Sequence, residues 1–372
     1  MIEADAREDL SPLLNRLFDG ILMSESEAKD VMGLIMEDRV SKVQVAALLA
    51  ALRTRGETVQ EITGFAEAMR ERSVKLSVPM DTPLLDTCGT GGTGKSTLNI
   101  STTVAFVVAA GGVRVAKHGN RGVTKRSGSA DLLEALGVNI DQNPEVLAES
   151  LEATGVAFLF ARSHHPAMRF VAPVRAELRA RTVFNVLGPL TNPAGANRQL
   201  MGGFDPSMTE LLAHVLGKLG VERALVVHGD GLDDFSVTGE NFVSEFGSDG
   251  QVSSYSIFSE DVGLSKYSLN DLAGGDPQDN AVITRAVLSG EEVGAKRDVV
   301  LFNAGSGLYL GGCASSLQAG VELAANLIDS GAAQERLEAY VAFNNNSRCK
   351  LLLKPSDSWG NVKKRSCFSR KD

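Results

Sequence analysis

The feature that most constrains this chain is a series of glycine-rich and polar loops between residues 86 and 137. The first is the turn Gly89–Gly94, the second is Lys117–Arg121, and the third is Ser127–Ser129. Four basic residues accompany them: Lys117, Arg121, Lys125 and Arg126. Glycine lets the backbone approach an anion closely, and free N–H groups at a helix start favour negative charge. Three such loops within about fifty residues predict a ligand with several phosphates.

A nucleotide hydrolase is one alternative, because residues 89–96 satisfy the pattern G-x-x-x-x-G-K-[ST]. The later polar loops have no role in such a fold, however. A nucleotide hydrolase of this type needs an acidic residue at the end of an apolar strand. Asp230 is the candidate, but His228 and Gly229 separate it from the apolar run 224–227. Nucleotide hydrolysis is therefore the weaker hypothesis.

Length and charge narrow the class of protein. A chain of 372 residues predicts two domains, and a net charge of −9 disfavours nucleic acid as a partner. The acidic N-terminus has no apolar signal core, and no apolar run reaches the roughly 18 residues of a membrane span. The four cysteines show no CxxC spacing, so no zinc site is predicted. A cytoplasmic protein with no membrane partner is expected.

The N-terminal seventy residues predict amphipathic helices. Ser24, Ser41 and Thr58 are each followed three residues later by Glu or Gln, which is typical of a capping box, and Gly56 suits a helix end. Val74–Pro83 is expected to be a linker.

From Leu84 onwards, short apolar runs alternate with helical ones, which predicts an α/β domain with a mainly parallel sheet. The predicted strands are Val113–Ala116, Val156–Phe160, Gln199–Phe204 and Arg223–His228, and the predicted helices are Asn143–Ala153, Met208–Leu219 and Gln318–Ile328. Antiparallel edge strands are expected within Phe235–Asp276. Glycine-rich loops at the strand ends then lie where open sheets bind ligands.

The ordered motifs GTGG, NIST, KHGNR and SGSADLLEALG, from Gly89 to Gly137, resemble those of the anthranilate phosphoribosyltransferases. The resemblance continues through HHPAM, PVR, NVLGPLTNP and GLDDFS and covers roughly residues 5–343. It implies the fold of the nucleoside-phosphorylase-like phosphoribosyltransferases: a helical domain of residues 1–75, joined in space by 166–185, and an α/β catalytic domain of residues 80–345. Residues 346–372 differ in composition, with eight Lys or Arg and two Asp, and are expected to be a poorly ordered extension.

The resemblance also implies a reaction. Anthranilate would attack C1 of 5-phosphoribosyl 1-diphosphate, releasing diphosphate in tryptophan biosynthesis, with two Mg²⁺ ions as cofactor and a homodimer as the assembly. The residues implied to bind 5-phosphoribosyl 1-diphosphate, the phosphoribosyl donor, are Gly89, Gly92, Thr93, Thr97, Asn99, Ile100, Ser101, Thr102, Lys117, Lys125 and Ser129. The implied anthranilate-binding residues are Gly89, Asn120 and Arg175. The implied metal ligands are Ser101, Asp233 and Asp234; no catalytic acid or base is assigned.

Two departures from the family pattern leave alternatives open. Thr93 stands where the family usually has Asp, and Thr124-Lys125 stands where it usually has two serines, so the loops gain positive charge. Asp234 replaces the usual Glu and is one methylene shorter. A divergent paralogue acting on another aromatic amine or a pyrimidine, and a noncatalytic phosphate-binding homologue, therefore remain alternatives. Magnesium demand, acceptor range and oligomer geometry stay open at this point.

Overall fold

A computed structural model describes residues 7–122 and 126–345. The predictions for Lys125 and for the extension 346–372 concern residues outside these described ranges. No helix within the described ranges has both the length and the apolar content needed to cross a lipid bilayer.

Between residues 7 and 75 the structure has four helices: α1 Ser11–Phe18, α2 Glu25–Met36, α3 Lys42–Arg55 and α4 Val59–Glu71. Ser24 and Thr58 close complete capping boxes at the starts of α2 and α4, as predicted. Ser41 caps α3 by accepting from the Gln44 N–H, but only half of the predicted box forms. The Gln44 side chain turns away and bonds the Leu10 N–H and the Asp9 carboxylate, because these partners lie across the bundle.

In the described part of the chain, one sheet contains seven strands: β1 Leu84–Gly89, β2 Arg114–Gly119, β3 Val156–Phe160, β4 Arg198–Gly202, β5 Arg223–Gly229, β6 Asn241–Phe246 and β7 Val252–Ile257. Their order is β3-β2-β1-β4-β5-β6-β7, with β1 to β5 parallel and β6 and β7 antiparallel. The four predicted strands and the antiparallel edge are confirmed.

The remaining helices are α5 Ile100–Ala110, α6 Ser129–Ala135, α7 Pro144–Thr154, α8 Ala161–His164, α9 Ala172–Leu178, α10 Phe184–Leu190, α11 Thr209–Lys218, α12 Pro277–Leu288, α13 Ala295–Leu310, α14 Leu317–Asp329 and α15 Ala332–Asn345. Short 3₁₀ helices occupy Pro166–Phe170, Pro206–Met208, Ser259–Val262 and Leu269–Leu272. Asn143 caps α7 through the Val146 N–H and Pro144 takes its first position, as predicted.

The two faces of the sheet belong to different hydrophobic clusters. In β4 and β5, Leu200, Leu225 and Val227 belong to the cluster that contains α5 and α13. The alternate residues Met201 and Val226 belong to a second cluster, which contains α11 and residues of α2 to α4. This follows from the two-residue period of a strand. Segment 171–190 contributes to the second cluster, so the N-terminal helices, that segment and the β4–β5 part of one sheet face share a core. On the same face, Leu84, Ala116 and Leu159 of β1 to β3 belong to a third cluster.

The parallel strands β1, β2, β4 and β5 all end at the same edge of the sheet, because parallel neighbours share a direction. The glycine turn follows β1, residues 120–122 follow β2, and Asp233 and Asp234 follow β5. The topology therefore gathers at one edge loops that are up to about 140 positions apart in sequence.

Candidate active site

The glycine turn after β1 rests on the acidic loop after β5. Gly91 N–H donates to the Asp233 carboxylate at 2.8 Å, and a Cβ on Gly89 would lie 2.3 Å from the same oxygen, Oδ2. Gly91, Gly92 and Gly94 have φ of +69°, +80° and +70°, which residues with a side chain rarely adopt. Glycine is therefore required here both for the turn and for its approach to Asp233.

The polar segment after the glycine turn leads into α5. Asn99 is the residue before the helix, and its amide side chain bonds Ser127 twice: Nδ2 donates to the Ser127 carbonyl at 3.1 Å, and Oδ1 accepts from Ser127 Oγ at 3.0 Å. Asn99 thus fastens the start of α5 to the loop before α6. The first amide groups of a helix have no partner within it, so this start is suited to an anion.

Lys117 lies beneath these loops. Its side chain is buried, and Nζ donates to the Thr87 carbonyl and, at 3.0 Å, to Ser101 Oγ. Burial lowers the pKa of Lys117, while attraction from the buried Asp86 opposes that change. The ammonium of Lys117 therefore lies below the loops and contacts them through the hydroxyl of Ser101.

Two histidine rings lie side by side, His118 in β2 and His165 just after α8. The ring nitrogen Nδ1 of His118 bonds the Gly188 carbonyl at 3.0 Å, and the His118 ring lies 5.1 Å from that of His165. Burial lowers the pKa of His118 well below its usual value and that of His165 to about 4. Both imidazoles are therefore neutral near pH 7, which does not suit them to hold a negative group by charge.

Asp233 and Asp234 form the acidic side of the site. Asp233 is buried, and a cavity of about 10 Å³ lies next to Asp234, Ser101 and Asn303. Asn303 holds the following residue, Phe235, by accepting from its N–H and donating to its carbonyl.

These oxygens suit a magnesium ion only in part. Two carboxylates and a hydroxyl are the hard ligands that Mg²⁺ prefers, and it commonly adds substrate phosphates and water to one or two carboxylates. Within the described ranges, no group of three or more His, Cys, Asp or Glu residues could hold a metal ion. The residues therefore fit magnesium that is shared with a bound phosphate.

Arg175 lies on α9, away from the glycine turn. Its guanidinium carbon lies 5.6 Å from the centre of the Phe184 ring, and among the described residues it makes no ion pair. Burial lowers its pKa, but a guanidinium stays charged near pH 7. Phe184 and Gly188 are one turn apart on α10, so that helix connects Arg175 to His118 at the end of β2.

The other predicted residues lie around the same edge. Thr97 is buried and pairs with Ala273, Ile100 begins α5, and Ser129 begins α6. The hydroxyls of Thr93 and Thr102 are buried without a partner in the described structure. Asn120 follows β2, and its carbonyl accepts from the Ala130 N–H. The structure thus brings together the residues predicted to bind 5-phosphoribosyl 1-diphosphate and those predicted to bind the metal. Lys125 is the exception, because it lies outside the described residues.

The nucleotide-hydrolase alternative does not fit this geometry. In that motif the Lys and Ser close the loop at the start of a helix. Here Lys95 and Ser96 are exposed, and α5 begins four residues later, at Ile100.

Sequence reasoning missed Arg181. Its guanidinium lies 4.5 Å from the ring centre of Phe204, and Nη2 donates to the Gly92 carbonyl. Arg181 thus links the segment after α9 to the glycine turn. A basic residue in an irregular segment forms no pattern that could have predicted this contact.

Comparisons with known proteins agree with this architecture. Residues 81–334 match the model of the glycosyl transferase family, a/b domain, and residues 11–73 match that of the glycosyl transferase family, helical bundle domain. The anthranilate phosphoribosyltransferase of Rubrobacter xylanophilus is 53% identical over 333 residues, covering 89% of this chain and 96% of the relative.

Solved structures give the same result. The anthranilate phosphoribosyltransferase of Thermus thermophilus is 50% identical, with a TM-score of 0.84, and the match covers 89% of this chain and 98% of that one. The Saccharomyces cerevisiae enzyme, solved in complex with PRPP and Mg, is 26% identical with a TM-score of 0.81, covering 91% and 98% of the two chains. The chain therefore belongs to the anthranilate phosphoribosyltransferase family.

Proposed function

We propose that this family member transfers the 5-phosphoribosyl group from 5-phosphoribosyl 1-diphosphate to anthranilate at the sheet edge described above, in tryptophan biosynthesis. The observation that supports this most directly is the bond between Gly91 N–H and Asp233, at 2.8 Å. It places a phosphate-type glycine turn against two carboxylates, so one site offers both amide donors and metal ligands. A site that binds only phosphate needs the amide hydrogen-bond donors but not the carboxylates.

In this proposal the diphosphate lies over the glycine turn and the start of α5. Backbone N–H groups of Gly92, Thr93, Ser101 and Thr102 are the donors, and Asn99 adds its amide. The N–H groups of Thr90, Gly91 and Ile100 already bond Gly202, Asp233 and Leu98. Thr97 and Ser129 supply hydroxyl groups at the rim, and the buried charge of Lys117 adds a positive potential. The unpartnered hydroxyls of Thr93 and Thr102 are further donors that a phosphate oxygen would satisfy.

Magnesium belongs to the same proposal, with Asp233, Asp234 and Ser101 as its protein ligands and two ions as the expected number. When bound, it neutralises charge on the leaving diphosphate. Asp233 also accepts from Gly91, so this residue connects metal binding with the shape of the glycine turn.

Anthranilate would lie between the end of β2 and α9. The guanidinium of Arg175 is charged and lacks an acidic partner among the described residues, so a carboxylate is its natural ligand. Asn120 and Gly89 would contact the same substrate. In the transfer, the amine nitrogen forms a bond to C1 as the bond from C1 to the diphosphate oxygen breaks, and the amine then loses a proton.

No strong base is needed for this step, because an aniline-type amine is already neutral near pH 7. The neutral imidazole of His118 is suited to position the amine by a hydrogen bond. The site accelerates the reaction by holding the two substrates in line and by neutralising the leaving group.

The test follows anthranilate fluorescence in the presence of 5-phosphoribosyl 1-diphosphate and Mg²⁺. Fluorescence should decay only when all components are present, and chelation of magnesium should stop the decay. ATP hydrolysis without anthranilate turnover, or phosphate binding without any turnover, would refute the proposal.

Thr93 supports one competing acceptor hypothesis, that of a paralogue acting on another aromatic amine or a pyrimidine. The same assay, run with those acceptors, separates the two hypotheses. A Thr93→Asp variant would show whether the missing carboxylate changes the magnesium requirement.

We also infer a homodimer that forms through the N-terminal helices. Phe18, Ile21 and Leu22 are at least half exposed there, and exposed apolar side chains that cluster favour protein contacts. Light scattering on a size-exclusion column would measure the mass. A single-chain mass at micromolar concentration would exclude the dimer.

A further inference from the structure

Asn280 makes a contact with the donor loops that no sequence motif indicated. It lies on α12, whose start is far in sequence from the glycine turn, and its side chain is 1% exposed. Its Nδ2 donates to Asn99 Oδ1 at 2.8 Å, and its Oδ1 accepts from the Gly275 N–H at 2.9 Å. Both ends of the Asn280 amide are therefore hydrogen-bonded, Oδ1 to Gly275 just before α12 and Nδ2 to Asn99 just before α5.

The orientation of the Asn99 amide follows from this contact. Oδ1 of Asn99 receives hydrogen bonds from Asn280 and from Ser127 Oγ, at 2.8 and 3.0 Å. A carbonyl oxygen has two lone pairs, so both are used. Exchanging the NH₂ end and the oxygen of Asn99 would set two NH₂ groups face to face at Asn280 and two oxygens face to face at the Ser127 carbonyl. The Asn99 amide is therefore held with Nδ2 as the end that can donate to a ligand.

That orientation matters for an anionic ligand. Nδ2 carries two N–H groups, of which one bonds the Ser127 carbonyl and the other is available to an acceptor such as phosphate. The opposite orientation would place an oxygen there, which would repel phosphate.

The backbone around Asn280 supports the same loop. Leu98 N–H donates to the Leu272 carbonyl at 3.2 Å, and Gly274 N–H donates to the Ser96 carbonyl at 3.1 Å. Segment 272–280 is thus hydrogen-bonded to residues 96–99, which keeps Asn280 within reach of Asn99.

We propose that Asn280 is a positioning residue for the sugar diphosphate, acting through Asn99 by fixing its amide with the N–H groups towards the phosphates. This inference rests on the proposed function of the site. It assigns Asn280 no contact with either substrate.

The sharpest test is Asn280→Asp, which changes one NH₂ to an oxygen with almost no change in shape. The new oxygen would face Asn99 Oδ1, so the Asn99 amide should turn to donate to it and present an oxygen to the phosphates. The KM for 5-phosphoribosyl 1-diphosphate, and its Kd by calorimetry, should rise about 10- to 100-fold, as expected for a lost hydrogen bond to a charged group. The KM for anthranilate should stay within about twofold of the wild-type value.

Thr284→Val is the matched control. Thr284 lies one turn further along α12, is buried, and bonds Thr103 Oγ1 at 3.1 Å without contacting Asn99. It should lower the melting temperature but leave both KM values unchanged. If Thr284→Val raised the KM for the sugar diphosphate as much as Asn280→Asp, a general loosening of α12 would explain the effect and the proposal would fail.

A double-mutant cycle tests the route through Asn99. In an Asn99→Ala background, Asn280→Asp should have almost no further effect on donor binding. Equal effects in both backgrounds, or equal losses for both substrates, would overturn the proposal. If the Asp variant does not fold, Asn280→Ala serves in the cycle instead, with an expected rise of about fivefold because one neutral hydrogen bond is lost; no rise would overturn the proposal.

Wild-type turnover, measured first, separates this inference from the function on which it rests. An inactive wild-type protein would count against the proposed function. An active wild-type protein with an unchanged Asn280→Asp variant would count against the inference alone.

Discussion

Gly202 offers a severe test of how closely the acidic loop is fitted to the sheet. This residue ends β4, and a Cβ built on it would lie 1.6 Å from the backbone carbonyl oxygen of Asp233. Real Cβ contacts essentially never fall below 3.0 Å, so Gly202→Ala requires the Asp233 backbone to move by about 1.4 Å. The obstacle is backbone rather than a flexible side chain, so no change of rotamer relieves it.

Such a displacement moves Asp233, which is both a predicted metal ligand and the hydrogen-bond partner of Gly91. Misplacement by about 1 Å can cost about 100-fold in rate, so kcat/KM of Gly202→Ala should fall at least that far. Overpacking should also lower the free energy of unfolding by about 1–3 kcal/mol. Anthranilate fluorescence decay measures the rate, and a thermal melt followed by circular dichroism measures the stability.

The neighbouring Gly203 supplies the control. A Cβ there would meet its nearest atoms at 3.7 and 3.8 Å, which is ordinary contact, and its φ is not positive. Gly203→Ala should therefore keep its rate within a few-fold of wild type. If Gly202→Ala were as active as Gly203→Ala, then Asp233 would not have to stay where the structure places it, and the proposed role of that carboxylate would be refuted.

Three further predictions concern single side chains. Arg175→Ala should raise the KM for anthranilate by about 30-fold or more and leave that for the sugar diphosphate nearly unchanged, because a desolvated charge pair is worth about 2–5 kcal/mol; steady-state titration of each substrate measures this, and equal losses would contradict it. The pKa of His165 is lowered to about 4 by burial, so the folded protein binds its proton more weakly than the unfolded chain; stability is full above about pH 6.5 and should fall by about 2 kcal/mol at pH 5. Urea unfolding at pH 7 and 5 would show the loss, which should shrink in His165→Phe. Asn303→Ala frees both backbone groups of Phe235 beside Asp234, so it should raise the Mg²⁺ concentration at half-maximal rate and lower the melting temperature; an unchanged magnesium curve would show that Asn303 does not position the acids.

The sequence was most informative where the signal is local. Asn143 and Pro144 marked the start of α7 because capping depends on residues only three positions apart. Ser41 shows the limit of the same reasoning: it caps α3 as predicted, but Gln44 bonds Asp9 in another part of the bundle instead of closing the box. A local pattern does not encode a partner that only folding brings near.

The same limit applies to the site. Ordered motifs predicted the loops and acids at the sheet edge, because parallel strands must end on one side. Asn280 and Asn303 escaped prediction, since each is a single polar residue in an otherwise ordinary helix, and its partner lies 181 or 68 positions away. Arg181 escaped for the same reason, as its contact with Gly92 spans 89 positions.

The core shared by the helical bundle and the sheet restricts how such a chain can change in evolution. Two family models match residues 11–73 and 81–334 separately, which suggests two exchangeable pieces. Phe65 of α4, however, lies in one hydrophobic cluster with Met201 of β4 and Val226 of β5, all of them fully buried. We therefore expect recombination near residues 74–80 between distant relatives to give misfolded hybrids, because each piece carries half of an interior shaped to fit the other.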